Sequence, residues 1–305
     1  MIDFYRLDLN QKARYDECLM TAELRGCEYS FTNLFLWGRQ KAAFVDGRLV
    51  IFSQFNRRSV YPFPVGPGDV RPALDAVIHD AKLRGIPCYI TSMTEADKDT
   101  LASLYPGRFQ FFTDRDTFDY LYDINSLADL KGRKYQKKRN HIHRFEEAHP
   151  DWQVLPLDAS TRVAAFTMAG QWYRSRKEAD PHADFHLEEL ALQRAFAFQA
   201  ELGLEGLVLT VDRKVVAFTM GSRLNANTFD VHFEKALDIA DGAYPTINRE
   251  FARYLRSKYP ELRWLNREDD MGLEGLRKAK LSYAPDLLLE KHWARLWEEE
   301  DEHVF

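Results

Sequence analysis

The chain has 305 residues, enough for two domains of ordinary size or one large one. Its 45% hydrophobic and 13% aromatic content supplies packed cores and excludes long disorder. A net charge of −5 argues against a general nucleic-acid coat protein but leaves room for a local basic patch.

No apolar run approaches the roughly 20 residues needed to span a bilayer. The opening MIDFYRLDLNQKARYDE carries charges where a signal peptide needs an apolar core, so the expected location is cytoplasmic, with no transmembrane segment. Cys18, Cys27 and Cys88 are odd in number and form no CxxC pair, and read as reduced, buried thiols.

In chain order, residues 11–25 read as a helix, and Tyr29–Trp37 as a strongly apolar segment. The runs AAFV, RLVIFSQF and SVYPFPV read as strands, the first two joined by an Asp46-Gly47 hairpin turn. A Pro- and Gly-rich loop follows. A helix then runs to Arg84 with Val70, Leu74, Val77, Ile78 and Ala81 on one face, and Gly85 ends it. PCYITSM is a buried strand, 95–104 a short helix, and FQFFT and TFDYLYDI two further strands.

Asn125–Pro150 reads as one charged helix. Strand and helix signals then place helices near 160–178 and 184–202, and strands at GLVLTV, KVVAFTMGSRL and NTFDVHFEKA, the first two joined at Asp212-Arg213. A long helix, the strand LRWLN, a short helix and SYAPDLLLEKHW complete the order. The acidic tail of WARLWEEEDEHVF is expected to fray. Strand–hairpin–strand–helix–strand–helix–strand is the order of an acetyltransferase core, and the first part of the chain approximates it too. The expected fold class is therefore mixed α/β: two tandem acetyltransferase-like domains, each a mixed sheet flanked by helices. The expected division is 1–125, a basic connecting helix at 126–150, and 151–305 carrying the active site.

Four segments carry candidate chemistry. Between positions 131 and 144 lie seven Lys or Arg residues and no acid. A solvated helix usually alternates its charges, so this one reads as a phosphate-recognising face, with Lys134, Lys138, Arg139 and Asn140 as candidate donor-binding residues. Helical spacing puts Arg139 on the docking stripe with Tyr135, Ile142 and Phe145. The bland alternative is a solvated face with Arg139 snorkelling.

In Phe229–Lys235, period two puts Asp230, His232 and Glu234 on one side of a strand. That row offers a proton acceptor, His232 or Glu234, beside an acceptor-binding group, Asp230. One wet face of an antiparallel strand explains it equally well. The next helix, entered at Asp241-Gly-Ala-Tyr-Pro, has an apolar stripe of Ile247, Phe251, Tyr254 and Leu255. Pro245 suits its first turn, and Tyr244 and Asn248 are candidate substrate contacts at its N-terminus.

Finally, Asn266–Lys280 places Glu268, Asp269 and Asp270 in a loop, with Asp270 expected to cap the following helix. Gly272 and Gly275 weaken that helix start, which makes sense where a ligand or another backbone passes close. Arg277 and Lys280 lie three apart on one side. The histidines are scattered or lie in the basic segment, so no metal is expected.

The stretches Phe31–Trp37, Gly132–Phe145 and Asn266–Pro285 resemble the DUF2156 group, the C-terminal cytosolic part of bacterial phosphatidylglycerol lysyltransferases. The resemblance implies a tandem acetyltransferase-like pair that moves an aminoacyl group from aminoacyl-tRNA to an acceptor. The usual acetyltransferase pyrophosphate loop is replaced by Asp241-Gly-Ala-Tyr-Pro. The leading expectation is aminoacyl transfer to a hydroxyl or amine on a small molecule, a peptide or an anionic lipid headgroup. Glu234 or His232 would take the proton, Glu268 or Asp269 would read an amine, and Arg139, Arg277 and Lys280 would hold negative charge, with Asn266 lining the site. Two alternatives stay open: an N-acyltransferase using CoA or acyl-CoA as co-substrate, with no tightly bound cofactor, and a non-catalytic nucleotide- or RNA-binding module.

Overall fold

The computed structural model describes residues 1–20, 26–55 and 58–297. The chain divides into two compact units: 1–119 with 269–272 and the segment from Leu289 onward, and 120–268 with 273–288.

The first unit contains strands β1 (Tyr5–Arg6), β2 (Lys41–Val45), β3 (Arg48–Phe55), β4 (Arg58–Pro62), β5 (Tyr89–Met93) and β6 (Phe109–Thr113). Its helices are α1 (Lys12–Met20), α2 (Phe31–Trp37), α3 (Arg71–Arg84) and α4 (Glu95–Leu104). Asp46 and Gly47 both take positive φ, 50° and 79°, and pair Val45 with Arg48 across the expected hairpin. Gly85 closes α3 in the left-handed region, and Thr94 and Asp97 form a reciprocal capping box on α4. Leu74, Val77 and Ala81 of α3 are fully buried against Ile90 and Met93 of β5.

In the second unit, β7 (Asp119–Asp123), α5 (Ile124–Asp129), α6 (Gln136–Ala148), β8 (Gln153–Pro156), α7 (Arg162–Ala179) and α8 (His186–Ala197) come first. β9 (Glu205–Val211), β10 (Lys214–Arg223), β11 (Thr228–Ala236), α9 (Ala243–Lys258), β12 (Trp264–Asn266), α10 (Glu274–Leu281) and β13 (Leu287–Leu289) follow. The sheet order is β13-β7-β12-β11-β10-β9-β8. Ile247, Phe251 and Leu255 of α9 pack on Phe229, Leu209 and Leu265, as their helical spacing predicts, and Tyr254 packs at the edge of that core.

The last strand, β14 (His292–Leu296), lies between β5 and β6 of the first sheet, giving the order β1-β2-β3-β4-β5-β14-β6. A sequential division at 125, 150 and 305 is therefore interleaved in the structure: β14 and 269–272 belong to the first unit, and α6 packs on α9 within the second.

One helix differs from expectation. The segment 125–150 is not one helix. Leu130 and Gly132 adopt φ of 49° and 87°, which ends α5 and re-enters through a short 3-10 turn before α6. Helix α1 is described only to Met20, so the rest of 11–25 lies outside the described residues, as does the acidic tail beyond residue 297. All three cysteines are buried and outside any disulfide. Among the described residues no helix is long and apolar enough to cross a membrane.

Candidate active site in the second unit

The site forms where two neighbouring strands part. β12 runs parallel to β11 and pairs with it only from Thr228↔Trp264 to Asp230↔Asn266, while β11 continues to Ala236 alongside β10. Beyond Asp230, the β12 side of β11 faces a gap that side chains fill.

A bulge decides which side chains fill it. The register of β10 and β11 shifts between Met220↔Phe233 and Gly221↔Val231, leaving His232 as the extra residue. Gly221 is required there: a Cβ would lie 2.1 Å from the Asp230 carbonyl oxygen. The bulge breaks the strict alternation that would put Asp230, His232 and Glu234 in one row. They separate into two groups.

In the first group, Glu234 Oε1 pairs with Arg267 Nη2 at 2.8 Å and Glu234 Oε2 accepts from Asn248 Nδ2 of α9 at 3.1 Å. The Arg267 guanidinium lies 4.7 Å from the ring centre of Tyr283, and Lys138 Nζ of α6 lies 3.7 Å from that same ring while donating to Ser282 Oγ at 2.8 Å. Burial, and then the Arg267 charge, lower the Lys138 ammonium to about 8 despite the opposing effect of Glu234. Lys280 is buried and donates from Nζ to the Arg267 carbonyl at 2.5 Å, and Tyr122 donates its hydroxyl to the Lys280 carbonyl. Lys280 thus positions the chain that carries Arg267.

In the second group, His232 Nε2 is 2.9 Å from Ser222 Oγ, and Nδ1 is 3.2 Å from Glu268 Oε1 and 3.6 Å from Asp230 Oδ2. Asn266 Oδ1 accepts from the Glu268 backbone N–H at 2.7 Å and helps hold Glu268 at φ 58°, a strained value for glutamate. Asp230, His232 and Glu268 each offer one ligand atom, all within 4.8 Å of one another, a set that could hold a divalent cation.

Next to Glu234 in sequence, Lys235 places Nζ 3.8 Å from the Trp172 ring centre and 2.6 Å from Glu188. Burial lowers its ammonium, with Glu188 acting against that shift. Trp172 donates to the Tyr244 hydroxyl at 3.0 Å, so Tyr244 helps hold this aromatic wall.

The basic segment divides as well. Arg139 is exposed, and its guanidinium donates to the carbonyls of Leu130 and Gly132, so it clamps the left-handed turn ahead of α6. Tyr135, Ile142 and Phe145 are buried as the docking stripe. Lys134 pairs with Asp286 at 3.3 Å. Lys137, Asn140, His143 and Arg144 line an open hollow of about 520 Å³ with His141.

On α10, Arg277 is half-buried. Its helix is capped at Leu273 and not by Asp270, which accepts from the Gly272 N–H and lies 3.5 Å from Arg115. No other backbone lies close to the two glycines: a Cβ on Gly272 would meet only the Asp116 side chain, at 2.6 Å from Oδ2, and one on Gly275 would meet nothing within 4 Å among the described residues. Asp269 belongs to the first unit and lines a cavity there. Arg267, Tyr283, Ser222, Trp172 and Lys235 were not singled out by the sequence. Arg267 lies inside the charged stretch Asn266–Lys280 and Tyr283 just beyond it, whereas Ser222 becomes visible only once the bulge aligns it with His232.

The model of the family described as phosphatidylglycerol lysyltransferase, C-terminal, matches residues 20–295. The chain belongs to this family. A conserved protein of unknown function from Bacteroides thetaiotaomicron has the same fold with a TM-score of 0.90 and 37% identity, over 97% of this chain and 100% of that one. The C-terminal DUF2156 domain of a putative lysylphosphatidylglycerol synthetase from Agrobacterium fabrum superposes with a TM-score of 0.69 at 13% identity, over 95% and 93% of the two chains. L-PGS from Bacillus licheniformis superposes with 0.62 at 14% identity, over 90% and 89%. An uncharacterized protein of Mycoplasmoides gallisepticum is 24% identical over 212 residues, and the match spans 68% of this chain and 65% of that protein's length. The chain has the expected mixed α/β class, with two mixed sheets flanked by helices and β4–β5 and β11–β12 among the parallel pairs.

Proposed function

We propose that the chain transfers an aminoacyl group from an aminoacyl-tRNA to a hydroxyl or amine acceptor, with the chemistry in the second unit. One observation carries this reading: helix α6 presents Lys137, Asn140, His143 and Arg144 outward and turns Lys138 inward onto the ring that Arg267 also faces. A phosphate-binding surface and a desolvated cationic site therefore share one helix. Polyanion binding needs the first, and stabilising an oxyanion needs the second.

In the proposed step the acceptor hydroxyl or amine attacks the ester carbonyl of the donor. The Glu234 carboxylate accepts the proton, and Arg267 with Lys138 stabilises the charge that develops on the carbonyl oxygen. The tetrahedral centre then collapses, and the departing ribose oxygen takes the proton back from Glu234 to leave as the tRNA hydroxyl. His232, with Ser222 and Glu268, fixes the bulge that aims Glu234.

Packing at Gly242 supports a tRNA over a CoA donor. An acetyltransferase binds pyrophosphate at the start of the helix that corresponds to α9. Here α6 packs against that spot, and a Cβ on Gly242 would lie 2.4 Å from the His141 carbonyl oxygen. The deciding experiment incubates the chain with radiolabelled lysyl-tRNA and separate pools of phospholipid, peptide and small-amine acceptors. Label should move to one acceptor pool, and Glu234→Gln should abolish the transfer. Transfer from acyl-CoA but from no aminoacyl-tRNA would sink the proposal.

A further inference from the structure

Glu234 is flanked by two buried polar groups that the transfer step does not use. Thr219 lies directly opposite Glu234 on β10 and opposite Leu207 on β9, so its side chain shares their face of the sheet, the face that α9 covers. Thr219 is fully buried, and among the described residues its hydroxyl Oγ1 has no hydrogen-bond partner. Asn248, 4% exposed, approaches from α9 and donates from Nδ2 to Glu234 Oε2 at 3.1 Å. An ionised carboxylate only accepts, so this bond fixes the amide with its NH2 end toward Glu234. Oδ1 is thereby turned away from Glu234, and it too has no partner among the described residues.

Leaving a polar atom buried and unbonded is costly, and native chains rarely do it. An apolar side chain at position 219 would join Ala217 and Leu207 in the core without that cost. The donor end of Asn248 supports Glu234, but its oxygen supports nothing. Two such atoms, brought from β10 and α9 to one carboxylate, mark acceptor positions shaped for a ligand.

Their chemistry selects the group they read. Oδ1 accepts hydrogen bonds, and Oγ1 accepts or donates them. Glu234 is already paired with Arg267 at 2.8 Å, so these acceptors suit a neutral N–H donor better than an ammonium. In the transfer step the acceptor spends its proton on Glu234, and the ester carbonyl lies on Arg267 and Lys138. The α-amine of an aminoacyl group sits one carbon beyond that carbonyl, and an ordinary α-amino value of about 7.7–8.0 leaves its neutral form available near neutral pH. Arg267 and Asn248 hold the two oxygens of the same carboxylate, so an ester placed on the first brings its α-nitrogen toward the second. We infer that Asn248 and Thr219 read the α-amine of the transferred group and so set the preference for an α-amino acid in the donor. The inference rests on the transfer reading of this site.

The test compares kcat/KM for lysyl-tRNA with that for tRNA charged with 6-aminohexanoate, which is lysine without its α-amine, summed over the same acceptor pools. The unaltered chain should prefer lysyl-tRNA at least tenfold. Thr219→Val and Asn248→Leu should each cut that preference at least threefold, whereas Thr219→Ser, which keeps the hydroxyl, should retain it. Equal use of the two donors by the unaltered chain overturns the inference and leaves the transfer reading standing. Variants that slow both donors by the same factor also overturn it, because the two residues would then only support Glu234. Transfer from neither tRNA sinks the transfer reading and the inference with it. Should Asn248→Leu fail to fold by circular dichroism, the two Thr219 variants still decide, since that hydroxyl has no bond to lose among the described residues.

Discussion

Arg267 and Glu234 meet at 2.8 Å with side chains only 14% and 6% exposed, and they meet where β11 loses β12 as its neighbour. A charge pair at that depth is costly to break from one side. Glu234→Gln leaves Arg267 without its closest anion and should lower stability by about 3–5 kcal/mol, whereas replacing both partners by apolar residues of similar size should cost far less. Urea unfolding of the two single variants and the double variant measures this. A loss in the double variant equal to the sum of the two single losses would show that the pair is not coupled.

Lys138 makes the site sensitive to pH. Its ammonium titrates near 8 in the folded chain against an ordinary lysine value of 10.5. Between those values the unfolded chain holds the proton more firmly, so this residue makes folding relatively more favourable as pH rises from about 8 toward 10.5. The charge offered to a donor moves the opposite way: it is present below about 8 and lost above it. Affinity for uncharged tRNA, measured by filter binding, should fall through pH 8. Lys138→Arg should flatten that limb, since a guanidinium stays charged.

The outward face of α6 should behave as a sequence-independent polyanion surface. Lys137→Ala and Arg144→Ala should each weaken tRNA binding several-fold and reduce the slope of log affinity against log salt by about 1. Arg139→Ala should act differently because its guanidinium clamps the Leu130 and Gly132 carbonyls. Its loss should lower the melting temperature and leave the salt slope unchanged. Fluorescence anisotropy across a salt series separates the two behaviours.

The Gly221 bulge can be tested through its geometry. Gly221→Ala puts a methyl group against the Asp230 carbonyl, and relief of that contact should cost about 1–3 kcal/mol, the range for overpacked cores. Transfer should fall more than stability explains, because His232 and Glu234 change direction together. Activity measured well below the melting temperature, with folding checked by near-ultraviolet circular dichroism, distinguishes misdirection from unfolding.

These residues also show what the sequence could express. Periodicity found the α9 stripe, and turn chemistry found Asp46-Gly47 and Gly85, because each is a local rule that the structure keeps. The row Asp230, His232, Glu234 was legible as three ionisable groups on one strand but not as two separate groups. A bulge depends on the partner strand, and β10 reveals it only through Gly221. Arg139 illustrates the same limit. Its place on the docking stripe was readable, but its partners are carbonyls of a turn that helical periodicity assigned to one continuous helix. The return of β14 to the first sheet is a long-range pairing with no local signature.

The first turn of α9 offers backbone N–H groups, which in an acetyltransferase would face a pyrophosphate. Here Gly242, at φ 88°, packs against the His141 carbonyl, and Phe145 and Ala243 share one core cluster. A pyrophosphate could approach only by displacing α6 and exposing Phe145, and burial of a side chain that size contributes roughly 1.5–3 kcal/mol. Coenzyme A should therefore bind no more tightly than about 1 mM by calorimetry, weaker than tRNA at the same ionic strength. Micromolar coenzyme A binding, lost on Gly242→Ala, would instead locate the donor at this helix start and make acyl-CoA the donor.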